Sequence, residues 1–114
     1  MTTVFGIKNC DTIKKTKKYL ETKQIDFRFH DYRVDGIDAV WLEKVLAHLD
    51  WEKVLNKRGT TYRQLSDDAK TAITRDTVTE VLVQHPAMIK RPIIEHQGEF
   101  ILGFSAKQLD EVFA

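Results

Sequence analysis

A strand-helix-strand pattern at the start of the chain constrains its fold more than any other feature. Val4, Phe5 and Ile7 form a short apolar run suited to a buried strand, with Gly6 leaving room for a neighbouring backbone to approach. From Asp11 to about Lys23, Ile13, Tyr19 and Leu20 recur at helical spacing among lysines. Ile25, Phe27 and Phe29 then alternate with Asp26, Arg28 and His30, the period-two signature of a strand. Two parallel strands need a long crossover, and a helix of this length supplies one. The opening therefore predicts an α/β architecture.

Further along, Trp41, Leu42, Val45, Leu46 and Leu49 share a helical face, whereas Asn56 to Thr61 lacks periodicity and reads as a polar loop. Ser66-Asp67-Asp68 is a helix start leading into Ala69 to Ile73, and Val78, Val81 and Leu82 continue at helical spacing until His85-Pro86 stops the pattern. Apolar runs from Met88 to Ile94 and from Phe100 to Phe104 flank a polar turn around His96-Gln97-Gly98, which predicts an antiparallel hairpin. Pro92 cannot donate to a ladder, so it belongs at the beginning or edge of its strand. Ser105 can cap a closing helix with Leu109, Val112 and Phe113 on one face. The expectation is a single domain over residues 1–114, an α/β, thioredoxin-like mixed sheet with flanking helices and a central helical insertion at about 36–86.

The composition fits that size. With 114 residues, 42% hydrophobic and 31% charged, there is enough apolar material for one core and too much for a disordered chain. No apolar run approaches the roughly 20 residues that span a bilayer, and the Met1-Thr2-Thr3 start lacks the basic-then-apolar pattern of a secretory signal. Both observations predict a cytoplasmic protein. A formal charge of +1, from 18 Lys plus Arg against 17 Asp plus Glu, argues against a nucleic-acid or anionic-membrane binder. The charge is unevenly spread: between Lys8 and Lys23 six lysines face only Asp11 and Glu21, and between Asp35 and Lys53 five acids face two lysines. Lysines far from Cys10 read as a solvated helix face.

Cys10 is the only cysteine. It excludes an internal disulfide and a four-thiolate zinc site, and any redox chemistry must recruit an outside thiol. An ordinary thiol is only a few per cent thiolate near neutral pH, so position decides reactivity. A place just before the first helical turn would set the sulfur beside unpaired backbone N–H groups and the positive helix end. Lys8, Lys14 and Lys15 would add positive charge. The alternative is a small buried filler, which the polar neighbours Asn9, Asp11 and Thr12 argue against. Isoleucine at position 13 occupies the place of a second dithiol cysteine, so a mixed disulfide on Cys10 would need glutathione or another free thiol to release it. Thr12 could donate its hydroxyl to the thiolate or help cap the helix. Arg91 before Pro92 could be held at a strand entrance with its planar fork aimed at an anion, or be an exposed edge arginine. Histidines 30, 48, 85 and 96 lack ligand spacing, and no metal site is expected.

Together Val4-Phe5-Gly6-Ile7-Lys8-Asn9-Cys10-Asp11-Thr12, Leu55-Asn56-Lys57-Arg58-Gly59-Thr60-Thr61-Tyr62 and His85-Pro86 with Ile89-Lys90-Arg91-Pro92-Ile93 resemble the arsenate-reductase-related ArsC/Spx family, above all its YffB-like branch. The resemblance covers essentially the whole chain. It implies a thioredoxin-like fold with a helical insertion, Cys10 as nucleophile, Arg91 facing the thiolate and substrate, and Pro92, with a cis peptide bond, shaping the cleft. Lys8, Asn9, Asp11, Thr12, Lys14 and Arg58 complete the expected substrate- or glutathione-binding set. The resemblance implies no bound cofactor, with glutathione as co-substrate and a disulfide or oxidised thiol as substrate. The implied activity is that of a monomeric, glutathione-dependent thiol reductase. Family arsenate reductases hold the oxyanion with further arginines, and near those positions this chain carries Asn56 and Gly103, with Arg58 as a nearby replacement. Arsenate reduction with glutathione and glutaredoxin is one alternative. A non-catalytic, Spx-like module that docks a protein partner such as RNA polymerase is another, although the paired-cysteine motif typical of Spx is missing.

Overall fold

The computed structural model describes residues 2–8 and 10–113. In chain order the elements are β1 (Thr2–Gly6), α1 (Asp11–Thr22), β2 (Phe27–Asp31), α2 (Ala39–His48), α3 (Trp51–Val54), α4 (Thr60–Arg63), α5 (Asp67–Thr71), α6 (Val78–Gln84), a 3-10 turn (Pro86–Met88), β3 (Ile93–His96), β4 (Glu99–Leu102) and α7 (Ala106–Val112). They form two compact units, residues 1–31 with 91–114, and residues 32–90.

The first unit carries the sheet, in the order β2-β1-β3-β4. β1 pairs with β2 in parallel, as the crossover helix predicts, and with β3 antiparallel; β3 and β4 form the antiparallel hairpin. The register sets Phe29, Val4, Ile94 and Ile101 in one row across all four strands. Ile13 and Leu20 of α1 and Leu109 of α7 pack against that row, where Val4, Leu20, Ile94 and Leu109 are fully buried. Burying each such side chain contributes about 1.5–3 kcal/mol relative to leaving it exposed. The mixed four-stranded sheet with flanking helices is the thioredoxin-like arrangement expected from the sequence.

Gly6 does permit a close approach, but a side chain rather than a backbone takes the space. A Cβ at this position would lie 2.2 Å from Ile13 Cδ1 and 3.7 Å from Arg91 Cβ. The late hairpin is shorter than its apolar runs suggest. Met88 lies in the 3-10 turn, Ile89 forms an isolated bridge with Leu55, and β3 begins only after Pro92. Pro92 thus stands at the strand's beginning, where its missing N–H costs the ladder nothing, and its bond to Arg91 is cis. β4 ends at Leu102, since Gly103 turns the chain with φ +79°. Phe104 therefore lies outside the strand.

The second unit is mostly helical. Its core holds Leu42, Val45, Leu46, Val54, Leu55, Val78, Leu82, Met88 and Ile89. Asp38, Asp50 and Ser66 side chains cap α2, α3 and α5, accepting from the N–H groups of Trp41, Glu52 and Ala69. The segment read as polar loop from Asn56 to Thr61 gives way to α4 at Thr60. The helical pattern through 69–82 is broken into α5 and α6, because the Thr77 hydroxyl donates to Ala72 O and accepts from Thr74 N–H, side-chain bonds that substitute for a continuous helix. Among the described residues no helix is long and apolar enough to cross a membrane.

Candidate active site

β1 ends at Gly6 and α1 begins at Asp11, so four residues carry the chain from the middle of the sheet to the helix start. Cys10 is the last of them and the N-cap of α1, with extended backbone (φ −85°, ψ 135°) and a carbonyl that accepts the first helical bond from Lys14 N–H at 3.0 Å. It is half-buried and packs against the core between sheet and helices. The neutral thiol makes no cap hydrogen bond of normal geometry. Its anion, however, has partners.

Burial acts to raise the pKa of the sulfur, but it is outweighed by the Ile13 N–H, a hydrogen bond from the Arg91 side chain, the Thr12 N–H and the Arg91 positive charge. The net result is a thiol pKa below its ordinary value. The two N–H groups are among the donors that a helix start leaves unpaired, and they favour an anion there. Arg91 reaches the sulfur from the chain segment entering β3, the central strand beside β1. Gly6 keeps the floor clear for Ile13, and Arg91 Cβ passes at ordinary contact distance beside it.

The remaining expected residues distribute as follows. Thr12 acts on the sulfur through its backbone N–H, and its carbonyl accepts from the Thr16 hydroxyl at 2.8 Å. Asp11 is exposed in the first turn of α1. Lys8 and Lys14 side chains are exposed, and Lys15 is too. The charge felt by the sulfur is that of Arg91 rather than of these lysines, which corrects the electrostatic reading of the sequence. Lysine side chains extend into water, where their charge is screened. Asn9 lies outside the described residues. Pro92 follows Arg91 directly, and its carbonyl accepts Gly103 N–H at 2.8 Å. Arg58 belongs to the second unit, where its N–H donates to Asn56 Oδ1 at 3.3 Å. It lines an open depression of about 340 Å³ with Lys53, Asn56, Lys57 and Lys90.

Sequence reasoning passed over Asp31. This residue ends β2, is only 6% exposed, and its carboxylate accepts Lys8 N–H at 3.0 Å. The available signal is its place at the end of the Phe27–Phe29 alternation, since a carboxylate that becomes buried needs a donor nearby. Among the described residues no three His, Cys, Asp or Glu side chains gather as metal ligands would.

The ArsC family model matches residues 5–112. An uncharacterized protein of Haemophilus influenzae is 43% identical over all 114 residues, covering both chains completely. The global transcriptional regulator Spx of Streptococcus pyogenes is 22% identical over 111 residues, 96% of this chain and 82% of that one. A solved structure named YFFB protein superposes with a TM-score of 0.95 at 35% identity and full coverage of both chains. A family match over nearly the entire sequence, together with a full-length structural match at 35% identity, makes the chain a member of the ArsC family, in its YffB-like branch.

Proposed function

We propose that this protein is a thiol-based oxidoreductase that uses glutathione to reduce disulfides or glutathionylated thiols. The observation that carries the reading is the half-buried Cys10 at the start of α1, its thiol pKa held down by the Ile13 N–H and the Arg91 side chain. The Cys10 thiolate attacks the glutathione sulfur of a glutathionylated substrate. The substrate's sulfur leaves as thiolate and takes a proton from water, and a Cys10–glutathione disulfide forms. The thiolate of a second glutathione attacks the glutathione sulfur of that adduct, releasing oxidised glutathione and restoring Cys10. One disulfide is exchanged for another: the incoming free glutathione is oxidised to the disulfide level, the substrate sulfur is reduced to a thiol, and the glutathione carried on the adduct stays at the disulfide level throughout.

Arg91 stabilises sulfur anion twice in this cycle, as attacking group and as leaving group. No bound cofactor is required, and the need for reduced glutathione suits a cytoplasmic setting. The test is glutathione-dependent reduction of a glutathionylated peptide by wild type and Cys10→Ser. The substitution abolishes turnover under this reading; full turnover by the serine variant contradicts it.

Arsenate reduction fits the family but less well these residues. Gly103 has φ +79°, a conformation that would strain an arginine, and the Asn56 side chain is engaged in the turn before Arg58. Direct assay of arsenate reduction with glutathione and glutaredoxin separates the two activities. The Spx relatives favour a second reading, docking of a protein such as RNA polymerase. Retention of such a partner equally by wild type and Cys10→Ser, with no turnover by either, would support it.

A further inference from the structure

We propose that Asp31 is the positioning residue for the nucleophile: it fixes the β1–α1 loop through the Lys8 N–H and so holds the Cys10 sulfur against its anion-stabilising partners. This rests on the thiol-reductase reading of Cys10. The parallel ladder between β1 and β2 runs from Thr2 opposite Phe27 to Gly6 opposite Asp31 and then stops, because β1 must rise into the loop. Two residues past Gly6, Lys8 N–H is taken by the Asp31 carboxylate rather than by a β2 carbonyl. A side chain thereby extends the ladder across the point where the backbone leaves it.

The consequence for Cys10 follows from chain geometry. Ile7 is buried and Ile13 fills the space over Gly6, so the loop is anchored on the sheet side and on the helix side. Lys8 lies between those anchors, two residues before the sulfur, and its backbone N–H is the point held by Asp31. Removing the carboxylate leaves that part-buried N–H without this acceptor and frees the loop to turn. The alignment of the sulfur with the Ile13 N–H and Arg91 depends on the loop's path, and a displacement of about 1 Å is enough to weaken such bonds steeply. Asp31 does not work by charge on the sulfur. A carboxylate acting through space would disfavour the thiolate, the opposite of the effect proposed.

Those two modes predict opposite signs, which makes the test decisive. Cys10 alkylation is followed against pH in wild type, Asp31→Asn and Asp31→Ala, with thermal unfolding measured in parallel. Asparagine keeps an oxygen for the Lys8 N–H without the charge; alanine keeps neither. The expected result is a wild-type midpoint below the ordinary thiol value, an asparagine midpoint near wild type, and an alanine midpoint higher by about one pH unit, or roughly tenfold less thiolate below it. If the alanine variant does not fold, Asp31→Ser takes its place, with slowed alkylation and faster hydrogen exchange at the Lys8 amide expected. A low wild-type midpoint that folded variants leave unchanged or lower overturns the positioning role alone. An ordinary wild-type midpoint overturns both this role and the reductase reading.

Discussion

The two ends of α1 shift their ionisable side chains in opposite directions. At its N-terminus Cys10 meets backbone N–H groups and the Arg91 guanidinium, and its pKa falls. In its last turn Tyr19 donates its hydroxyl to Asp110 of α7, and its pKa is pushed up to about 12, first by the loss of solvent around it and then by the carboxylate. Both pairs join α1 to an element of the same unit far away in sequence. The difference lies in what surrounds each group: helix-start N–H donors and a cation at the sulfur, loss of solvent and the Asp110 carboxylate at the phenol. One end favours loss of a proton, and the other keeps it.

Removing the cation at the sulfur should have the largest effect. In Arg91→Ala, Cys10 loses a hydrogen bond and a charge together, so its alkylation midpoint should rise and turnover near neutral pH should fall by about tenfold for each unit of rise. Arg91→Lys should recover only part of this, since a single ammonium cannot reproduce the planar fork.

Gly6→Ala attacks the same end from below. Its new Cβ would stand 2.2 Å from Ile13 Cδ1 and 2.9 Å from Cγ1, and Ile13 is 1% exposed with little freedom to retreat. The expected cost is about 1–3 kcal/mol in denaturant unfolding, together with an altered thiol midpoint because the Ile13 N–H moves.

At the other end, Asp110→Asn should bring the Tyr19 phenol back toward the ordinary value near 10 in an ultraviolet pH titration, with the Cys10 midpoint unmoved. A shift of Cys10 in that variant would show the two ends to be coupled. The smallest effect is on the pH dependence of stability, and its signs differ at the two ends. The lowered thiol pKa favours the folded state fully above the unfolded thiol's pKa, and that contribution is lost as pH falls through the folded value. The raised phenol pKa favours the folded state below the unfolded value, and that contribution is lost as pH rises toward about 12. Unfolding curves collected from pH 6 to 9 and from 9.5 to 12 check each separately.

The sequence was most readable where a period or a fixed backbone geometry carried the information. The alternation of Phe27 and Phe29 and the helical spacing of Ile13 and Leu20 mark β2 and α1, and Pro92 narrows its place to a strand's beginning or edge. Cys10 could be placed at a helix start from its polar neighbours alone. Four-residue helices such as α3 and α4 are shorter than any periodic window, and the Thr77 bonds that part α5 from α6 have no pattern in the sequence. Most opaque were the pairings made by topology. Asp31 meets Lys8 across 23 residues and Tyr19 meets Asp110 across 91. In the sequence Arg91 fits an anion ligand and an edge residue equally well, and the antiparallel pairing of β3 beside β1 is what brings it to the sulfur.

Cys10 and Arg91 form one unit. Its most direct test is the rate of Cys10 alkylation against pH in wild type and in Arg91→Ala. A midpoint below the ordinary thiol value of about 8.5 that moves upward when the arginine is removed is the predicted result. A midpoint at or above the ordinary value, indifferent to Arg91, would contradict the account.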